Sequence, residues 1–120
     1  MSRPRSAARA ELLRAAPVFA ALGDETRLRL VSRLSEGGPL SIARLAAGAE
    51  VTRQAITKHL LVLADAGLVR GARRGRERIW ELEPGPLLTA RECLSRISAQ
   101  WDEALARLQR FVERPEGEDR

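Results

Sequence analysis

Ile56, Leu60 and Leu63 recur at spacings of four and three, the period of one helical face, while Arg53, Gln54, Thr57 and Lys58 fall off that face near its N-terminal end. Thr52 is a good N-cap, with a hydroxyl free for an orphan amide, and Val51 before it can staple onto Ile56 at the fourth helical position. The pattern predicts a helix over 52–66, starting at Thr52 or Arg53 and stopped by Gly67. Two short apolar runs follow, Leu68-Val69 and Ile79-Trp80-Glu81-Leu82, flanking Arg73-Arg74-Gly75-Arg76. Such runs around a glycine-containing turn predict a β-hairpin over 68–82 with a cationic tip.

Upstream, a first helix is expected from about Ser6 to Leu22, with Pro17 either kinking it or starting its ordered part. Residues 1–16 then form an N-terminal arm and the start of that helix. Asp24 caps a second helix over about Glu25–Ser35, which places Arg27, Leu30, Val31 and Leu34 along one side and ends at Gly37-Gly38-Pro39. Arg27 there suits ion pairing better than DNA contact. Ser41 can cap a short third helix, Ile42–Ala47, that packs Ile42, Leu45 and Ala46 inward, and Gly48 makes the turn into 52–66.

Downstream of Pro84-Gly85-Pro86, Leu87, Ala90, Leu94, Ile97, Trp101, Ala104, Leu108 and Phe111 alternate spacings of three and four. The helix this predicts over about 87–112 is on the order of 39 Å long, more than a domain this small needs for its own core. A partner helix is the simplest use for the surplus. The expected dimer interface is therefore Leu94, Ile97, Trp101, Ala104, Leu108 and Phe111. Residues 113–120, rich in charge with Pro115 and Gly117, read as a disordered tail, leaving 17–112 as the folded domain.

The ordered series ALGDETRLRLVSRL, LSIARLA, VTRQAITKHLLVLADAGLV and GRERIWEL resembles the ArsR-type (arsenic-repressor-like) winged helix-turn-helix regulators of bacteria, over about Pro17 to Val112. The resemblance implies a mainly α fold with a small β-hairpin wing, dimerising through its terminal helices. It implies a homodimeric transcriptional regulator that places its fourth helix in the major groove and its wing near the minor groove. Thr52, Arg53, Gln54, Thr57 and Lys58 match the part of that helix that faces bases and phosphates, and Gly75-Arg76 match the wing tip. With them the expected DNA-binding set is Ser41, Thr52, Arg53, Gln54, Thr57, Lys58, His59, Arg73, Arg74 and Arg76. The expected function is a repressor binding an inverted-repeat operator, including one upstream of its own gene. The alternative is a ligand-responsive or protein-interaction module on the same fold with weak DNA binding.

Charge placement favours the first reading. The formal net charge is +5 over 120 residues. Between Thr52 and Ile79, Arg53, Lys58, Arg70, Arg73, Arg74, Arg76 and Arg78 face only Asp65 and Glu77, a local excess of 7 − 2 = 5. Cations clustered against phosphates release condensed counterions, so this segment predicts salt-dependent binding to double-stranded DNA.

Other chemistry finds few candidates. Thiolate metal sensors of the family carry paired cysteines where this sequence has LSIARLA, and others carry His, Asp and Glu ligands on the terminal helix; neither set is present. His59 and Cys93 are each the sole residue of their type, whereas a closed zinc or soft-metal site needs three or four N or S donors, so no metal is expected. His59 is expected to orient part of the helix-turn-helix or to hydrogen-bond a phosphate. Cys93 reads as a small buried apolar residue, with redox sensing left open by the nearby Arg91 and Arg96. The wording ALGDETR, VTRQAITKHLLVLADAGLV and QWDEALARL is most similar to a branch lacking metal sites, whose genes often adjoin one for a lipid-transfer-like domain protein. Any small-molecule effector stays unidentified.

No phosphate-binding glycine loop and no nucleophile with a histidine base is present, so neither catalytic residues nor a cofactor is expected. A single cysteine excludes an intramolecular disulfide framework, and the basic start MSRPRSAARA lacks the apolar stretch of a secretory signal. With no apolar run long enough to cross a membrane, the chain is expected to be cytoplasmic.

Overall fold

The computed structural model describes residues 5–113, and the expected disordered tail lies almost wholly outside the described residues. Five helices and three short strands follow one another as α1 (Arg5–Leu22), α2 (Glu25–Gly37), β1 (Leu40–Ser41), α3 (Ile42–Ala46), α4 (Arg53–Asp65), β2 (Val69–Arg74), β3 (Glu77–Leu82) and α5 (Pro84–Glu113). The fold is mainly α with a small antiparallel sheet, as the sequence predicts.

Local chemistry sets most boundaries. The Asp24 side chain accepts from the Arg27 amide at 3.0 Å and so starts α2. Ser41 Oγ accepts from the Arg44 amide at 3.2 Å and Thr52 Oγ1 from the Ala55 amide at 3.1 Å, starting α3 and α4. At the end of α4 the Gly67 amide reaches Ala64 O and the Leu68 amide reaches Leu63 O, both at 2.9 Å. This is the paired closure of a Schellman motif, and Gly67 accommodates it at φ 75°.

α1 begins at Arg5, beside the expected start near Ser6, and continues through Pro17, which does not start it. Pro17 lies exposed, so solvent can satisfy the carbonyl its ring leaves unpaired. The terminal helix starts at Pro84 rather than near Leu87, because proline in a first turn forgoes an amide that would have no helical partner and brings a helical φ. Ser41, expected as a cap and a DNA contact, also forms with Leu40 a third strand that the sequence did not predict: the sheet order is β1-β3-β2, with Leu40 opposite Trp80 and Ser41 opposite Ile79.

The core gathers one stripe from each element. Leu30 and Leu34 of α2, Leu45 of α3, Ile56, Leu60 and Leu63 of α4, Leu68, and Trp80 of β3 form one buried cluster with Val18 and Ala21 of α1 and Ala90 of α5. Beyond this cluster, α1 and α5 are tied by an ion pair 85 positions apart in sequence. Arg96 donates to both carboxylate oxygens of Glu11, at 2.7 Å to Oε2 and with a second, shorter contact to Oε1. The Glu11 side chain is only 8 % exposed. A buried carboxylate of this kind is costly once its guanidinium is removed, whereas an apolar pair of similar volume can substitute for both.

Arg96→Leu, which takes the guanidinium away from the buried carboxylate, is therefore expected to lower Tm by roughly 10 °C at fixed protein concentration. Glu11→Leu should lower it less, because the Arg96 side chain keeps access to solvent, and the double variant should lose less than the sum of the two. Additive losses in thermal denaturation would show that the pair is not coupled.

Candidate nucleic-acid interface

The face of α4 opposite its buried stripe carries the chemistry. Ile56, Leu60 and Leu63 are at most 1 % exposed, which turns Arg53, Gln54 and Lys58 outward into solvent. Thr57 donates its hydroxyl to the Arg53 carbonyl at 2.9 Å, a contact within the helix. Thr52 spends an oxygen lone pair on the cap, and its residue remains exposed. Ser41 differs from the rest of the expected set: its residue is buried, its hydroxyl caps α3, and its backbone pairs with β3.

The wing follows from a two-residue connection. Arg74 pairs with Glu77 across the ladder, leaving Gly75 and Arg76 as the turn. Gly75 has φ 64° and Arg76 does not have a positive φ, the sign pattern of a type II′ turn, which matches the twist of the two strands. This register sets Arg70 opposite Glu81. The Arg70 guanidinium contacts Glu81 and lies 3.1 Å from Glu83 Oε1. Hydrogen bonding to Arg70, reinforced by its charge, holds the Glu81 carboxyl below the usual carboxylate range.

Arg70 therefore belongs to the base of the hairpin, and counting it in the local excess of charge overstates the free charge there. Arg73, Arg74 and Arg76 are exposed at the distal end and form no ion pair among the described residues. Arg78 instead lies over the Trp80 ring at 5.0 Å from its centroid. Gly71 makes room for that stack: a Cβ there would sit 2.8 Å from Arg78 Nε and 3.2 Å from the Trp80 ring.

His59 turns away from solvent more than Arg53, Gln54 and Lys58 do. Its side chain is 25 % exposed, its Nδ1 stands 3.3 Å from Arg27 Nη1, and the same atom is 3.8 Å from Asp24 Oδ2. Arg27 also donates from Nε to the Ala21 carbonyl at 2.6 Å. The Arg27 guanidinium is thus engaged within the fold, through a carbonyl and an imidazole where ion pairing was expected. The Asp24 carboxyl is held below its usual range, chiefly by the Arg27 amide and then by the charge of Arg27, with a smaller share from the Thr26 amide, against an opposing effect of burial.

Sequence reasoning missed the Arg70 clasp and the Arg78–Trp80 stack. Both were recoverable in principle: a two-residue turn at Gly75-Arg76 dictates that Arg70 faces Glu81, and Arg78 and Trp80, two apart on one strand, share a face. It also missed Arg33, whose guanidinium donates to the Leu45 and Arg44 carbonyls at 2.8 and 2.9 Å and so closes the end of α3. Cys93 is 1 % exposed, as suits a packing residue rather than an accessible thiolate. Among the described residues no group of three or more His, Cys, Asp or Glu side chains converges to hold a metal ion. None of the described helices is long and apolar enough to cross a membrane.

Comparison with known proteins adds an independent line. A helix-turn-helix domain family model matches residues 22–72. A helix-turn-helix-type transcriptional regulator of Mycobacterium tuberculosis is 37 % identical over 99 residues, which cover 82 % of this chain and 88 % of that protein. Another, of Bacillus subtilis, is 42 % identical over 76 residues, covering 58 % of this chain and 83 % of its own. Among solved structures, an ArsR-like transcriptional regulator from Rhodococcus sp. RHA1 superposes with a TM-score of 0.69 at 38 % identity, covering 86 % of this chain and 96 % of that one.

The Asp24 cap generates a pH prediction. A carboxyl whose folded pKa lies below its unfolded value contributes stability that is complete above the unfolded value and is lost as the pH falls through the folded one. Asp24→Asn retains an acceptor but no charge. The stability difference between wild type and Asp24→Asn in urea should thus be present at neutral pH and shrink as the pH falls to and below about 4. A difference independent of pH would show that the charge on Asp24 does not matter.

Proposed function

Because this chain belongs to the ArsR-like family of helix-turn-helix transcriptional regulators, we propose that it is a cytoplasmic, homodimeric repressor that reads an inverted-repeat operator without a metal effector. Members of such a family are not enzymes. The observation that carries the proposal is the build of α4. Its apolar stripe is wholly buried, its Arg53, Gln54 and Lys58 stand in solvent, and a single Schellman turn leads from it into the cationic hairpin.

In this reading α4 enters the major groove. Gln54 suits the N6 and N7 edge of adenine, and Arg53 the O6 and N7 edge of guanine. Thr52, Thr57 and Lys58 meet phosphates at the groove edge. Arg73, Arg74 and Arg76 carry the wing along the backbone or into an adjacent narrow minor groove. Ser41 and His59 act behind the interface, the first by holding α3 and the second through its contacts to α2. A dimer seated on a promoter blocks polymerase by occupying the duplex, which is the sense in which it represses. An operator upstream of its own gene would make that repression autoregulatory.

The dimer supports the recognition. One helix-turn-helix reads few base pairs, and two related by a two-fold axis read half-sites about one helical turn apart. The predicted seam of α5 divides in two: Leu87 and Ala90 pack on the chain's own core, while Leu94, Ile97, Trp101, Leu108 and Phe111 are exposed, Trp101 at 63 % and Phe111 at 68 %. A run of apolar side chains this long favours coverage by a second copy.

Replacing Arg74 and Arg76 together by alanine should flatten the dependence of DNA affinity on salt by about one counterion for each phosphate no longer neutralised. An unchanged slope would remove the wing from the interface, and a wild-type protein with no measurable slope would overturn the DNA-binding reading itself.

Trp101→Glu should give monomer in analytical ultracentrifugation and abolish specific DNA binding, although every groove-facing residue is intact. A Trp101→Glu protein that remains dimeric with native affinity would place the interface elsewhere.

A further inference from the structure

Burial of Ile56, Leu60 and Leu63 anchors α4, but apolar contact is non-directional and leaves rotation about the helix axis loosely defined. At about 100° per residue, His59 flanks that stripe on the side opposite Arg53 and Thr57. There it meets a directional contact. Arg27 is a donor only, so the 3.3 Å approach of its Nη1 makes His59 Nδ1 the acceptor and leaves the ring proton on Nε2. The same guanidinium is held at the other side by the Ala21 carbonyl of α1, 2.6 Å from Nε. Asp24 bonds the Arg27 amide at 3.0 Å and lies 3.8 Å from His59 Nδ1. One side chain thus joins the end of α1, the start of α2 and the flank of α4.

We propose that Asp24, Arg27 and His59 form a rotational lock on the helix that reads DNA, acting as positioning residues for base recognition rather than as DNA contacts. The proposal rests on α4 being the reading helix. A side chain about 6 Å from a helix axis moves by about 1 Å for a turn of about 10°, a misplacement large enough to spoil a bidentate contact to a base edge. Phosphate contacts tolerate the same shift, since they depend on charge more than on angle. Loss of the lock therefore reduces discrimination between sequences and leaves general affinity for DNA nearly unchanged. A general loss of folding would reduce both together.

The test uses a DNA fragment enriched by the wild-type protein from a random-sequence pool, and a scrambled fragment of equal length, at one salt concentration. His59→Leu should lose about tenfold or more on the enriched fragment, the effect of one hydrogen bond to a charged group, and less than about twofold on the scrambled one. His59→Asn, whose Oδ1 stands near the position of Nδ1, should recover most of the loss. Arg27→Lys keeps the charge but cannot bridge Ala21 and His59, and should lose discrimination even where His59→Leu fails to fold. Combining Arg27→Lys with His59→Leu should cost no more than the larger single effect. Equal losses on the two fragments, additive losses, or unchanged discrimination in the single variants would overturn the lock while leaving DNA recognition by α4 intact. Failure of the wild-type protein to enrich any sequence would overturn both.

Discussion

The structure depends on one constraint: α4 must be buried along one side and bare along the other. Ile56, Leu60 and Leu63 satisfy the first half by closing over Leu30, Leu34, Leu68 and Trp80 in a shared core. The second half follows geometrically, because the helical period turns Gln54, Thr57 and Lys58 away from that core. Every other element serves this arrangement. The second and third helices supply walls, the three-stranded sheet supplies Trp80 as part of the floor, and the Schellman turn at Gly67 sets where the hairpin departs.

Arginine does two distinct jobs in this chain, and total charge conceals the division. Arg33 closes the end of α3, Arg70 clasps Glu81 and Glu83, Arg27 joins three helices, and Arg96 neutralises a buried Glu11. Each uses the planar donor fork of guanidinium to satisfy carbonyls or carboxylates in fixed geometry, which an ammonium does poorly. Lys58, the single lysine, stands on the exposed face of α4. Arg53 and Lys58 at the start of α4 and Arg73, Arg74 and Arg76 at the tip of the wing are not held in this way and stand in solvent. Their position rather than their number makes the electrostatic case for nucleic acid.

The terminal helix also carries two functions in sequence. Its first turns, through Ala90 and Cys93, complete the core of their own chain. From Leu94 onward it presents apolar residues to solvent, over a helix whose full 30 residues span about 45 Å. A single heptad pattern in the sequence thus describes core at one end and an uncovered surface at the other. The ion pair between Glu11 and Arg96 lies where that change occurs, holding α1 beside α5.

Much of this was legible in the sequence because it is local. Caps at Asp24, Ser41 and Thr52, the stop at Gly67 and the turn at Gly75 are each decided by a few neighbouring residues, and helical periodicity decided which side of α4 is buried. Resemblance added the family and expected roles for exposed residues, which periodicity does not reveal. What sequence could not decide was the pairing of distant groups. Leu40–Ser41 is too short to declare itself a strand until β3 lies beside it. The sequence leaves His59 between orienting the helix-turn-helix and bonding a phosphate until Arg27, 32 positions away, meets its Nδ1, and nothing singles out Glu11 until Arg96 covers it. Such partners are selected by packing across the whole domain, because a polar side chain is satisfied by whichever group the tertiary fold brings within a few ångströms. Local sequence settled which elements form and which face each buries; only the tertiary structure decided which arginines, carboxylates and histidine remain free to act outward.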